Sequence, residues 1–281
     1  MGNLGRRDFL KGAAALAASG VALGRAEAAE RAASAETLRG EQVTFTLPDL
    51  DPAHDGLRVA QLTDLHVGTL TPVERIRAAI EAANAFEPDL VVLTGDYVAH
   101  DKAGIGLMRE QLGGLTAPTV AVLGNHDHWV NPAGAAAALE KHGYAVLQNE
   151  NTTLTLRGEP FTVLGVDDLV TRNAEPAKAM KGARPGSRIV LAHAPKTADI
   201  LRLFGKPALV LTGHTHGCQV NIPGLSWFVM NAIVREPYIR GTYQVGKVQL
   251  YVNRGVGNSA PKLRVNSPPE VTLAVLRSAA A

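Results

Sequence analysis

The chain has 281 residues, 46% of them apolar, with 28 Lys and Arg against 26 Asp and Glu. So much apolar material supports a substantial buried core, which excludes a disordered or repeat protein and favours one large domain over two. Cys218 is the only cysteine, so no intrachain disulfide forms, and stability rests on the core, on bound metal or on both.

The chain opens "MGNLGRRDFLKGAAALAASGVALGRAEAAE": a basic stretch with Arg6 and Arg7, an alanine-rich apolar run from Gly12 to Gly24, and the small-residue site Ala26-Glu27-Ala28. This order resembles a twin-arginine signal peptide over residues 1–28. A frayed amphipathic N-terminal helix and a single membrane span are the other readings, but about thirteen apolar residues are too few to cross a bilayer. The expected localisation is therefore exported, periplasmic or cell-envelope, with the twin-arginine translocation machinery as a partner. Without residues 1–28 the chain keeps 24 basic and 24 acidic side chains, so its basic excess belongs to the leader. A near-neutral remainder gives no support to a nucleic-acid partner.

Residues 29–41 lack hydrophobic period and read as a linker to a domain over 42–281. Next come apolar runs that stop abruptly in polar residues: "LRVAQLTD", "DLVVLTGD", "TVAVLGNHD", "RIVLAHAP" and "ALVLTGHTH". Between the early ones, Pro72 to Phe86 carries Val73, Ile76, Ile80 and Ala83 at helical spacing. Strand, helix, strand predicts a mainly parallel buried sheet. From Tyr144 onward, shorter alternating runs such as "FTVLGV", "TYQVGKVQLYVN" and "EVTLAVL" predict a second, more antiparallel sheet. The fold class expected is α/β: two mixed sheets face to face with helices outside, a four-layer α/β/β/α sandwich.

The strand ends supply Asp64 and His66, Asp96, then Asn125, His126 and Asp127, then His193, and finally His214 and His216. A parallel sheet brings such ends to one rim, where open α/β sheets keep their chemistry. Carboxylate, imidazole and amide oxygen without thiolate suit manganese, iron or zinc better than a sulfur-rich structural zinc site. The donors suffice for two divalent ions. Four positive charges against two ligand aspartates leave a cationic pocket that attracts phosphate.

The order D-x-H, GD, GNHD, H and GHTH resembles the calcineurin-like metallophosphoesterase superfamily from Leu57 to Leu273. With the leader, "AQLTDLHVGTL", "GHTHGCQV" and "YVNRGVGNSAPKLRVNSPPEVTLAVL" look like its exported phosphodiesterase branch, which implies a metallo-dependent phosphatase-like fold. The resemblance implies that Asp64, His66, Asp96 and His216 hold one ion and that Asn125, His193 and His214 hold the other, with Asp96 bridging. It also implies hydrolysis of a phosphodiester or pyrophosphate by a metal-bridging hydroxide, with His126 stabilising the transition state or protonating the leaving alkoxide and Asp127 orienting His126 through a hydrogen bond. A phosphomonoesterase or nucleotidase is the alternative enzyme, and a non-catalytic envelope-binding protein the alternative class. The substrate expected is a phosphoester small molecule or an envelope glycolipid, with membrane-surface contact a further option.

Cys218 stands where the branch usually has glycine, as a small buried filler, a spare soft ligand or a redox liability. Arg254 and Arg264 either reach a substrate phosphate or pair within the second sheet. His54, His100 and His142 read as surface histidines, Tyr97 as pocket lining or packing, and His128 and Trp129 stay unassigned. The apolar "IPGLSWFVMNAIV", Ile222 to Val234, is either a wall for a greasy substrate or core.

Overall fold

A computed structural model describes residues 37–205, 208–260 and 262–279. The leader over 1–28 lies outside the described residues, as does most of the linker. Twelve strands form two six-stranded sheets. The first runs β1 (Arg39–Leu47), β12 (Glu270–Ser278), β2 (Leu57–Leu62), β3 (Leu90–Thr94), β4 (Thr119–Val122), β5 (Ala145–Val146). The second runs β10 (Gly241–Val245), β11 (Val248–Val252), β9 (Ala208–Thr212), β8 (Arg188–Leu191), β7 (Glu159–Gly165), β6 (Glu150–Leu156). Strand β1 begins inside the stretch read as linker, because Arg39–Glu41 already pair with Glu270–Thr272.

The sheets stack through a core that alternates with the strand period. Leu90 and Val92 of β3 face Ile189 and Leu191 of β8 and Leu209 and Leu211 of β9 across the inter-sheet layer. Val91 and Leu93 point the other way, onto α1 (Val73–Ala85), α2 (Ala103–Gln111) and α4 (Pro132–Glu140). Val190 and Val210 likewise point outward, onto α5 (Pro176–Met180) and α6 (Thr197–Leu201). This is the four-layer sandwich of two mixed sheets.

The second sheet is more antiparallel than the first, as expected: its centre β7, β8, β9 and β11 pairs in parallel, but β6 and β10 both run antiparallel to their hairpin partners, against the single antiparallel pair β12 with β2 in the first sheet. One expectation needs correction. The final apolar run, β12, belongs to the first sheet, between β1 and β2. Its alternation specifies a strand but not which sheet receives it.

The parallel runs β2–β3–β4 and β7–β8–β9 bring their C-terminal ends to a common rim. A direct bond ties the two sheets there: Gln61 Nε2 donates to Thr94 Oγ1 of its own sheet and to the Thr212 carbonyl of the second, both at 2.9 Å. On that rim, the segment after β4 turns at once into the short helix α3 (Asn125–Val130).

Candidate metal centre and active site

All seven expected donors lie at this rim, on the segments that follow β2, β3, β4, β8 and β9. Asp64, His66 and His216 group their ligand atoms within 4.8 Å of one another, and so do Asp96, His193 and His214. His66 Nε2 lies 3.1 Å from His216 Nε2, and His216 Nε2 lies 3.3 Å from Asp64 Oδ1. On the other side His214 Nδ1 is 3.2 Å from His193 Nε2, which is 3.2 Å from Asp96 Oδ2. The same Asp96 oxygen is 3.7 Å from His66 Nε2, so it faces both groups. Donors about 2.0–2.2 Å from a shared ion stand roughly 3.0–3.6 Å from each other, so these separations fit metal coordination.

The donors are prepared for lone-pair bonding. His66 Nδ1 donates to the Val98 carbonyl at 3.2 Å, which leaves its Nε2 bare and aimed inward, and His193 Nδ1 donates to the Thr94 carbonyl at 2.8 Å, which turns its Nε2 toward Asp96 Oδ2. The side-chain oxygen of Asn125 is buried without a hydrogen-bond partner, an arrangement costing about 1–3 kcal/mol unless a cation completes it. Asp64, His66, Asp96, His214 and His216 all hold positive φ, between 43° and 73°. Five of seven donors in a region that disfavours side chains mark strain, roughly 1–2 kcal/mol each, retained at a functional site.

Electrostatics agree. Burial pushes His66 and His214 down to about 4 and His216 well below its ordinary value, so these imidazoles are neutral at pH 7. Burial also disfavours charge on His193, but the adjacent Asp96 carboxylate outweighs it and lifts His193 to about 10. Burial raises Asp64 to about 6. Burial opposes the charge of Asp96 too, yet His193 holds that carboxyl well below the usual range. Without an ion, therefore, the site keeps a proton on His193 as countercharge.

His126 sits beside both groups, half-buried, with its ring 4.7 Å from that of His66. Its Nδ1 is held by the Ala99 carbonyl, and its backbone N–H donates to Asp96 Oδ1 at 2.8 Å. The expected bond from Asp127 to His126 is not made, because adjacent helical residues point about 100° apart. Instead the buried Asp127 carboxylate accepts four backbone N–H groups: Asp96 and Gly124 at 2.9 Å, Tyr97 at 3.0 Å and Val98 at 3.2 Å. Asp127 thus pins the Asp96 loop to the start of α3. Asp127→Ala orphans those donors and is expected to cost about 3 kcal/mol or more in urea denaturation; a loss of turnover with unchanged stability would contradict this.

Other expectations are revised. Arg264 is fully buried and donates to the backbone of Gly255, Gly257 and Ser267, so it shapes the loop behind His216 and cannot touch substrate. Arg254 pairs with Glu270 at 2.6 Å and Glu41 at 2.8 Å. His54 is a core residue bonded to Ser187 Oγ and the Leu156 carbonyl. Tyr97 is buried, its hydroxyl donating to Val122. Cys218 is part-exposed in the left-handed region, φ 68°, where glycine is at ease. Cys218→Gly is accordingly expected to keep activity and to gain up to about 1 kcal/mol in thermal denaturation; destabilisation would show that the thiol packs usefully.

Residues the motifs missed also gather here. His100 and Trp129 flank His126, with ring centroids 5.2 and 5.0 Å away, and both are exposed. His128 Nε2 pairs with Asp167 Oδ1 at 2.6 Å, joining α3 to the loop after β7. Asp168 beside it is buried with one unpartnered oxygen. The signal was present, since "FTVLGVDD" is another apolar strand that ends in acids. A cleft of about 470 Å³ opens from His214 and His216 between Lys196, Arg235, Met230 and Val234.

A buried cluster of aspartates and imidazoles on the joined rim of two stacked α/β sheets, opening on a cleft, defines a candidate site able to hold divalent cations. The sequence places it more narrowly: residues 57–218 match the calcineurin-like phosphoesterase family, and the chain belongs to that family. It is similar to the uncharacterized metallophosphoesterase YkuE of Bacillus subtilis, 31% identical over 99% of both chains. It is also similar to the phosphodiesterase YaeI of Escherichia coli, at 34% identity over 77% of this chain and 80% of that one. The protein is a phosphoric ester hydrolase with clustered residues able to bind metal.

Proposed function

We propose that the protein is an exported phosphodiesterase working with two divalent ions, of which Asp64, His66, Asp96 and His216 hold one and Asn125, His193, His214 and Asp96 the other. The observation that carries this is Asp96 Oδ2, facing His193 on one side and His66 on the other. Bound ions would supply Lewis acidity toward a phosphoryl oxygen and an activated water at neutral pH. His126, anchored through Nδ1, presents Nε2 as the proton donor for a departing alkoxide. Trp129 and His100 wall the position of the leaving group.

The similarity to the phosphodiesterase YaeI favours a diester over a monoester. The leader sequence supports export through the twin-arginine route to the periplasm or envelope. Manganese, iron and zinc all suit the donors. The test compares bis(p-nitrophenyl) phosphate with p-nitrophenyl phosphate under each metal and after chelation. Faster, metal-dependent diester cleavage is expected, whereas monoester preference would favour a nucleotidase and inactivity toward both a binding protein.

Metal uptake should depend on pH. His193 holds its proton up to about 10, so an entering ion displaces it, and apparent affinity is expected to rise about tenfold per pH unit between 6 and 9. Below about 6 the slope steepens, because Asp64 is then protonated too. Manganese titrations across pH check this; a flat profile would contradict it.

A further inference from the structure

Ile222–Val234 carries no charged side chain and folds as the short helix α7 (Leu225–Phe228), continued by the π-helical Val229–Val234. None of the side chains in either helix is buried, so the core reading fails. Six of the eleven large apolar side chains exposed among the described residues lie in this one segment, which makes it a patch and not scatter. Trp227 is 61% and Phe228 56% exposed. Leu263, also exposed, adjoins them through the bridge between Val220 and Val265. Contiguous apolar surface of this kind marks a contact.

Charge and position identify the contact. Glu236, the one acid between residues 200 and 269, is buried. Arg235, Arg240 and Lys262 stand exposed around the apolar residues. A second copy of the chain would bring the same cations against themselves, which opposes self-association. A bilayer with anionic headgroups matches instead: aromatic and aliphatic groups enter the interface while cations meet phosphate. Among the described residues no helix is long and apolar enough to cross a membrane. The inner side of the segment, Met230 and Val234, lines the cleft that reaches His214 and His216.

We propose that Ile222–Val234 lies in the interface of an anionic lipid bilayer and seats the catalytic cleft over a phosphoester in the headgroup layer. The substrate half rests on the phosphodiesterase reading; the membrane contact does not. The full chain is prepared with Trp129→Phe, which leaves Trp227 as its sole tryptophan. It is mixed with phosphatidylcholine vesicles, with and without phosphatidylglycerol, carrying brominated acyl chains. Quenching of Trp227 on the phosphatidylglycerol vesicles, weakened by salt, is the expected result, as is a drop of about tenfold or more in vesicle affinity for Phe228→Ser with Ile233→Ser. Turnover of soluble bis(p-nitrophenyl) phosphate should be unchanged when Phe228→Ser and Ile233→Ser are made in the chain that keeps both native tryptophans. An unquenched Trp227 overturns the proposal, as does a dimer in sedimentation that the double variant abolishes while vesicles leave Trp227 unquenched. Quenching without phosphoester turnover by the parent chain would sink the catalytic reading and leave the membrane contact standing.

Discussion

Replacing Asp96 with alanine is expected to empty the site of metal and to lower diester turnover on the order of a thousandfold or more. The size follows from what one carboxylate does there. Oδ2 faces His66 and His193, one from each donor group, while Oδ1 receives the backbone N–H of His126. Losing it removes a negative charge from beside both cation positions, and several kcal/mol of electrostatic stabilisation is a factor of ten for each 1.36 kcal/mol. Asp96→Asn separates charge from shape. It fills the same volume and accepts the His126 N–H, yet offers no anion, so its metal content should fall nearly as far. Metal analysis beside kinetics on folded protein decides the matter; a fully metallated, active Asp96→Ala would refute the bridging assignment.

His126→Ala should behave differently, retaining metal and fold while losing about 10²- to 10⁴-fold in turnover. Its ring is outside the two donor groups assigned to the ions, and its tether is a carbonyl of the loop after β3, not a ligand. If its task is to protonate the leaving oxygen, the loss must grow with the basicity of that oxygen. A p-nitrophenolate leaves with little help, an alkoxide with much. The expected result is thus a modest loss on bis(p-nitrophenyl) phosphate and a severe one on an alkyl diester. Equal losses on both would assign His126 to charge stabilisation on phosphorus, and loss of metal would make it a ligand.

The rim of the fold was legible because its signal is local. Each parallel strand is a short apolar run, and the donors follow within one to four residues, so sequence order alone brought Asp64, Asp96, Asn125, His193 and His214 to one edge. Interactions at a distance were less legible. Asp127 was expected from the resemblance to orient His126, but its position in the first turn of α3 turns it toward backbone donors of the Asp96 loop. Arg264 looked available for phosphate, yet the loop around it closes its guanidinium in with carbonyls. His54 seemed an ordinary surface histidine; Ser187, far along the chain, supplies the partner that lets it be buried. Strand β12 joined the first sheet because pairing partners are not written in a strand's own alternation. Residues 222–234 read as either a substrate wall or core from composition, and only the fold reveals that none of the side chains in their two helices is buried among the described residues.

The most direct test of two ions sharing Asp96 is anomalous diffraction from crystals grown with manganese. Two peaks roughly 3.5–4 Å apart are expected, one bonded to Asp64, His66 and His216, the other to Asn125, His193 and His214, with Asp96 touching both. A single peak in the presence of excess manganese, or a pair lying away from Asp96, would contradict the binuclear centre.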